Sequence, residues 1–229
     1  MRINQLIGKG NRETNQDFIC VKQLKSGATL CMIADGMGGY EKGNEAAKIV
    51  AEKIYLNLSD SKNLNKKIIQ KAVQKADLAI RQFNTINNIK SGATIGGVII
   101  ENEIAHIFWV GDVMVYHIKN GNIYFQTKTH SLKNSLFEYD ALENVGSLDK
   151  YNHIVTRSLS GKSVELIIGY TSCHFFEDDI CIICSDGFYN TISINEFLSL
   201  EDDRKLLTLI EKQLEKDAQD NFSLIHIKK

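Results

Sequence analysis

The chain has 229 residues, enough to bury one sizeable core, and its 27 basic against 28 acidic residues leave a formal net charge of −1, which excludes a nucleic-acid footprint built on bulk charge. Hydrophobic residues at 43% and charged residues at 24% are the proportions of an ordinary globular chain, and no apolar run approaches the roughly 18–20 residues that span a bilayer, so no membrane partner is expected. Five scattered cysteines, an odd number lying in apolar runs, predict reduced thiols and, with a first stretch that lacks the apolar middle of a signal peptide, a cytoplasmic location.

Residues 2–7, 17–24 and 28–34 read as strands, with hairpin-turn chemistry at Lys25-Ser26-Gly27. The last of them, Leu30-Cys31-Met32-Ile33-Ala34, delivers Asp35 to a loop holding Gly36, Gly38 and Gly39. Backbone without Cβ can approach a ligand closely there, and the Gly36 carbonyl can join Asp35 as an oxygen donor to a hard divalent cation. Taken alone, the loop is more simply a tight strand-to-helix turn. Residues 45–58 change period, with Ala47, Val50, Ala51, Ile54 and Leu58 on one helical face, and 64–83 repeat the pattern through Ile69, Ala72, Val73, Ala76, Ile80 and Phe83.

Strands return at 94–100, 103–110, 113–119 and 122–128, the last two joined by Asn120-Gly121, a strong type I′ turn signal. Residues 131–152 are polar and weakly periodic and are read as a flap insertion, with a short helix near 136–142. Residues 154–168 are mixed. A buried strand at 179–184 ends in Ser185-Asp186-Gly187, helices follow at 193–200 and 202–216, and 221–227 is a closing strand. Cys181-Ile182-Ile183-Cys184 is a CxxC without a second pair at zinc spacing, so it is read as core packing. Helices that come in pairs, not one after each strand, predict an α+β fold in which helices cover antiparallel sheets, in one domain spanning 1–229.

Acids recur at strand ends. Asp35-Gly36, Asp186-Gly187 and Gly111-Asp112 each follow an apolar run, and Asp220-Asn221 precedes the last one. Carboxylates that converge on one rim repel one another unless cations neutralise them, and oxygen-only donors favour Mg²⁺ or Mn²⁺ over zinc.

The ordered series Asn11-Arg12-Glu13-Thr14-Asn15-Gln16-Asp17, Asp35-Gly36-Met37-Gly38-Gly39, Gly92-Ala93-Thr94, Val110-Gly111-Asp112, Thr129-His130-Ser131, Thr156-Arg157-Ser158-Leu159, Ser185-Asp186-Gly187 and Asp220-Asn221 resembles the bacterial members of the metal-dependent PPM (type 2C) protein serine/threonine phosphatases. The resemblance covers essentially the whole chain and implies a central antiparallel β-sandwich flanked by helix pairs, in α-β-β-α layers. It implies two Mn²⁺ or Mg²⁺ ions bridged by Asp35, with the Gly36 carbonyl on one, Asp186 and Asp220 as further ligands, Asp17 acting through water, and Asp112 with Asp186 at a third, weaker ion. Arg12 would bind phosphate with its planar fork. Arg12, Asp35 and Asp186 are thus the expected catalytic residues. A water activated by two ions would attack the phosphate in line without a phosphoenzyme. The substrate would be a phosphoserine or phosphothreonine protein, opposing a serine/threonine kinase.

Several positions depart from the family pattern. Gln16 stands for Glu, Val113-Met114 for Ser-Arg, Thr129 for Asp, and Met37 for the His of animal relatives, which leaves leaving-group protonation to metal-bound water. His130 is a candidate support residue, with a buried, hydrogen-bonded structural histidine as the alternative. The alternatives are a catalytically weak phosphatase-like regulatory or binding module, which retention of the acids and Arg12 argues against, and a metal-dependent phosphohydrolase of small molecules.

Overall fold

A computed structural model describes residues 1–37, 42–138, 154–163, 166–199 and 204–229. In chain order the elements are β1 (Arg2–Gly8), β2 (Asp17–Gln23), β3 (Thr29–Gly36), α1 (Gly43–Leu58), α2 (Lys66–Asn87), β4 (Ala93–Glu101), β5 (Ile104–Val110), β6 (Met114–Lys119), β7 (Asn122–Gln126), α3 (Leu132–Glu138), β8 (Gly169–His174), β9 (Ile180–Cys184), α4 (Asp186–Tyr189), α5 (Ile194–Ser199), α6 (Arg204–Asp217) and β10 (Phe222–Lys228). Gly38 and Gly39 of the glycine loop, and most of the expected flap, lie outside the described residues. No helix among the described residues is long and apolar enough to cross a membrane.

The strands form two five-stranded sheets, ordered β1-β10-β9-β6-β7 and β2-β3-β4-β5-β8, and every pairing is antiparallel. Period-2 alternation sorts each strand between two apolar layers. Cys31 and Ile33 on β3, Val98 on β4, Ile183 on β9 and Ile225 on β10 fill the space between the sheets. Leu30, Met32 and Ala34, the alternate residues of β3, instead face α1 and α2 through Val50, Ile54, Ile69 and Ile80. On the other sheet, Ile182, Phe222 and Leu224 pack under Phe197 of α5 and Ile210 and Leu214 of α6. The α-β-β-α layering expected from the resemblance is present.

Local chemistry sets the element ends. Asn65 caps α2, its side-chain oxygen accepting the Ile68 N–H at 3.1 Å, and Asn88 ends the helix in the left-handed region at φ 55°. Of the short helix expected near 136–142, residues 139–142 lie outside the described residues; the described helix is Leu132–Glu138. Ser131 starts it, its backbone carbonyl accepting from Ser135 and its hydroxyl from Asn134, while its bridge to Val155 closes the base of the insertion. Two elements are additions to the sequence reading: β8 is an edge strand whose residues are only partly covered, so it carries no apolar alternation, and α4 is a single turn hidden in what reads as Asp-Gly turn chemistry.

Cys181 faces the inter-sheet layer and Cys184 the helix layer, so the CxxC is core packing, and all five cysteines are free thiols. The inter-sheet layer is the part both sheets share. Ile183→Ala in the central strand β9 should cost about 2–5 kcal/mol by urea denaturation, as a fully buried large-to-small change does.

Candidate active site

Register brings the acids together. Asp17 opens β2 directly opposite Asp35 near the end of β3, and Asp35 in turn pairs with Thr94 at the start of β4. Asp112 follows β5, Asp186 begins α4 immediately after β9, and Asp220 stands two residues before β10. Strands of both sheets thus begin or end at one rim, and a contact crosses the sandwich there: Ser185 Oγ donates to Asp17 Oδ2 at 2.9 Å while accepting the Ser223 N–H at 2.8 Å.

The Asp35 carboxyl is pushed well above the ordinary carboxylate range, first by burial and then by the charges of Asp17, Asp186, Asp112 and Asp220. Burial also raises Asp17 to about 6, and raises Asp186, beside Asp112, Asp220 and Asp17, to about 7. Asp112 is raised by burial and by Asp220. Four buried carboxylates, Asp17, Asp35, Asp112 and Asp186, therefore share one low-dielectric region, where their own charges and that of the nearby Asp220 oppose ionisation.

One cation among the described residues answers them. Arg12, in the loop between β1 and β2, donates from Nε to Asp220 Oδ1 at 2.9 Å and from Nη2 to Oδ2 at 2.6 Å, a bidentate fork that raises the guanidinium pKa further. Asn221 holds that loop in place: its amide donates to the carbonyls of Lys9 and Thr14, and its oxygen accepts the Gln16 N–H. This stitching role is invisible in sequence, because the partners lie 205–212 residues away.

The backbone at the rim is closely packed. A Cβ on Gly36 would fall 2.4 Å from the Gly43 carbonyl oxygen and 2.7 Å from that of Gln16, so only glycine fits after Asp35. Gly111 is held at φ +100°, its N–H donating to His130 Nδ1 at 3.0 Å while the His130 N–H donates back to the Gly111 carbonyl at 2.7 Å. His130 also stacks on Trp109. These contacts hold the Gly111-Asp112 turn. Tyr189 adds a hydrogen bond from its hydroxyl to the Asp112 carbonyl, a role with no sequence signal. Val113 packs on Gly96 in the inter-sheet layer, so the apolar pair that replaces Ser-Arg is absorbed by the core.

The donor set fits hard cations. At this rim the buried Asp17 Oδ1 has no close hydrogen-bond partner among the described residues, and the hydroxyls of Thr94 and Ser223 turn toward Asp112 and Asp17. A buried, unpaired carboxylate oxygen within a group of repelling carboxylates is what an oxygen-liganded ion would satisfy. As the side chains stand, no three His, Cys, Asp or Glu among the described residues are grouped around one point; Asp220 is drawn onto Arg12 and Asp17 onto Ser185.

A β-sandwich with an acid rim facing an arginine fork is the layout of a metal-dependent phosphate-ester hydrolase. The chain belongs to the protein phosphatase 2C family, whose model matches residues 9–222. A putative protein phosphatase of Mycoplasma genitalium is 25% identical, the match covering 95% of this chain and 92% of the relative. The serine/threonine phosphatase of S. agalactiae has the same fold, with a TM-score of 0.84, 23% identity and 98% of each chain covered. So has the catalytic domain of the serine/threonine protein phosphatase PstP, a complex with two manganese ions, with a TM-score of 0.79, 22% identity and coverage of 98% of this chain and 96% of that one. The chain is accordingly a metal-dependent protein phosphatase, and the expected family, fold and enzyme class hold.

A carboxyl whose pKa is higher folded than unfolded keeps a proton that the unfolded chain has released. The rim acids therefore favour the fold most below the unfolded pKa near 4, and that contribution is lost as pH rises through the folded values of about 6 and 7 for Asp17 and Asp186. Asp35→Asn removes one of the repelling charges. In EDTA it should stabilise the protein at pH 8 by on the order of 1–3 kcal/mol and by less at pH 5, read as the difference in thermal midpoint from the parent at each pH.

Proposed function

We propose that this rim hydrolyses phosphoserine and phosphothreonine in proteins, with residues 1–229 acting as one catalytic domain. Asp35, the Gly36 carbonyl, Asp186 and Asp220 would hold two Mn²⁺ or Mg²⁺ ions, Asp17 would act through water, and Asp112 with Asp186 would offer a third position. Such ions, when bound, act as Lewis acids on phosphoryl oxygens and lower the pKa of water. The observation that carries the reading is the convergence of five carboxylates from both sheets on one rim.

The chain's own groups do the rest. Arg12 projects from a loop pinned by Asn221, half exposed at its tip, with 52% of its side-chain surface open to solvent. Its fork matches two oxygens of a phosphate dianion, and that dianion would compete with Asp220 for the same pair of donors. Ser185 keeps Asp17 turned inward and ties it to β10. Gly36 lets the chain turn between Gln16 and Gly43 without pushing Asp35 off the rim.

A serine/threonine kinase would supply the substrate, and the cytoplasm fits five cysteines that are all thiols. Hydrolysis of p-nitrophenyl phosphate and of a phosphothreonine peptide should require Mn²⁺ or Mg²⁺, stop with EDTA, and fall by about 100-fold or more in Asp35→Asn. Arg12→Lys should raise KM, because a point charge cannot replace the fork. Activity on nucleotides above that on phosphopeptides would favour a small-molecule phosphohydrolase, and no activity with any metal would favour a regulatory module.

Residues 131–152 are proposed as a flap that reads the substrate. Shortening them should change the ranking of phosphopeptides while p-nitrophenyl phosphate turnover stays within about twofold of the parent, since that substrate needs only the rim. Equal losses on both would count against the flap.

A further inference from the structure

A second group of reactive side chains lies at the opposite end of the sandwich. His117 on β6 is completely buried; its Nε2 is 3.0 Å from Asp179 Oδ2, and its Nδ1 is 3.4 Å from Cys173 Sγ on β8. The three residues come from both sheets and from the turn before β9. Since β9 runs from this end toward the acid rim and β6 runs antiparallel to it, the five residues from Cys181, which pairs with His117, to Asp186 separate the two sites by roughly 15 Å.

The hydrogen bonds assign the tautomer. Asp179 Oδ2 also accepts the Phe176 N–H at 3.0 Å and lies 3.8 Å from Lys119 Nζ. It is surrounded by donors and a cation, so the carboxylate accepts and His117 donates from Nε2. The Nδ1 lone pair is then left to accept the Cys173 S–H. Nucleophile, base and a third group that orients the base are in hydrogen-bonded series, the arrangement that activates a thiol.

Accessibility singles out the same cysteine. Cys20, Cys31, Cys181 and Cys184 are 0–5% exposed, whereas Cys173 is partly exposed on the edge strand β8. Lys119 lies over the rings of Tyr124 and Phe176, and its charge favours the Cys173 thiolate. Burial holds Cys173 above and His117 below their ordinary pKa values, so the resting pair is neutral and the proton moves only as sulfur forms its new bond.

We propose that Cys173 is a base-assisted reactive thiol for small hydroperoxides, with His117 as its general base and Asp179 as a positioning residue. Sulfur attacks one peroxide oxygen and the O–O bond breaks. The S–H proton passes to His117 Nδ1 and on to the departing hydroxide or alkoxide, giving water or an alcohol and a Cys173 sulfenic acid. Sulfur loses two electrons and the peroxide gains them. This chemistry uses none of the rim residues and stands independently of the phosphatase reading.

The test is peptide mapping of the native chain after brief hydrogen peroxide at pH 7 in the presence of dimedone, with glutathione as the reference thiol. Cys173 should be labelled first and about tenfold faster than glutathione, and Cys173→Ser should lose the fast label. His117→Gln should slow it by roughly 100-fold, and Asp179→Asn by about tenfold, in variants whose circular dichroism matches the parent. Labelling of another cysteine first, a Cys173 rate no faster than glutathione, or an unchanged rate in folded His117→Gln would overturn the proposal. The first two are read on the unmutated protein, so they decide the matter even if both variants unfold.

Discussion

The mutual repulsion of five carboxylates at one end of a β-sandwich is the constraint on which the rest of the structure depends. Asp35 cannot relieve it by moving: its backbone is locked between Asp17 on β2 and Thr94 on β4, and the residue after it is wedged against two carbonyls. Asp186 is fixed by the end of β9 and the turn of α4. What remains adjustable is charge, through protonation, through the Arg12 fork, or through bound cations. The three apolar layers behind the rim make that immobility possible, because Asp35 and Asp186 sit at the ends of strands, β3 and β9, that are buried on both faces.

The Arg12–Asp220 pair closes the molecule. It joins positions 208 residues apart, and Asn221 adds three further hydrogen bonds between the same loop and the start of β10. Because β1 and β10 are neighbours in one sheet, the loop after β1 has to pass the entrance of β10. The sheet's topology therefore delivers the phosphate-binding candidate to the acids, and an exposed ion pair that alone would be worth little acquires a fixed geometry.

Much of this was legible in the amino-acid sequence because the signals are periodic. Strands such as Leu30–Ala34 are continuous apolar runs, and α1 and α2 repeat every three to four residues, so the paired helices and antiparallel strands follow from pattern alone. The acids were legible as strand-end residues, and their order carried the family resemblance. The edge strand β8 was not, since one covered flank leaves no alternation to see. Nor was α4, whose four residues are too few for a period. The supporting roles of Asn221, Ser185 and Tyr189 depend on partners distant in sequence, and no local rule points to them. Cys173, His117 and Asp179 were unremarkable for the same reason: they meet only once the two sheets are stacked.

The two ends of the sandwich show how surroundings decide what one residue type can do. Asp35 faces four other acids, and its charged form is opposed by all of them. Asp179 faces a histidine, a backbone N–H and a lysine, so its charge is matched and serves to orient a neighbouring ring. An aspartate among acids has spare lone pairs to offer a cation, as the unpaired Asp17 Oδ1 illustrates. An aspartate among donors has none, and can act only by holding another group still. The fold thus needs no special residue for either task, because strand register alone determines which aspartate meets which neighbours.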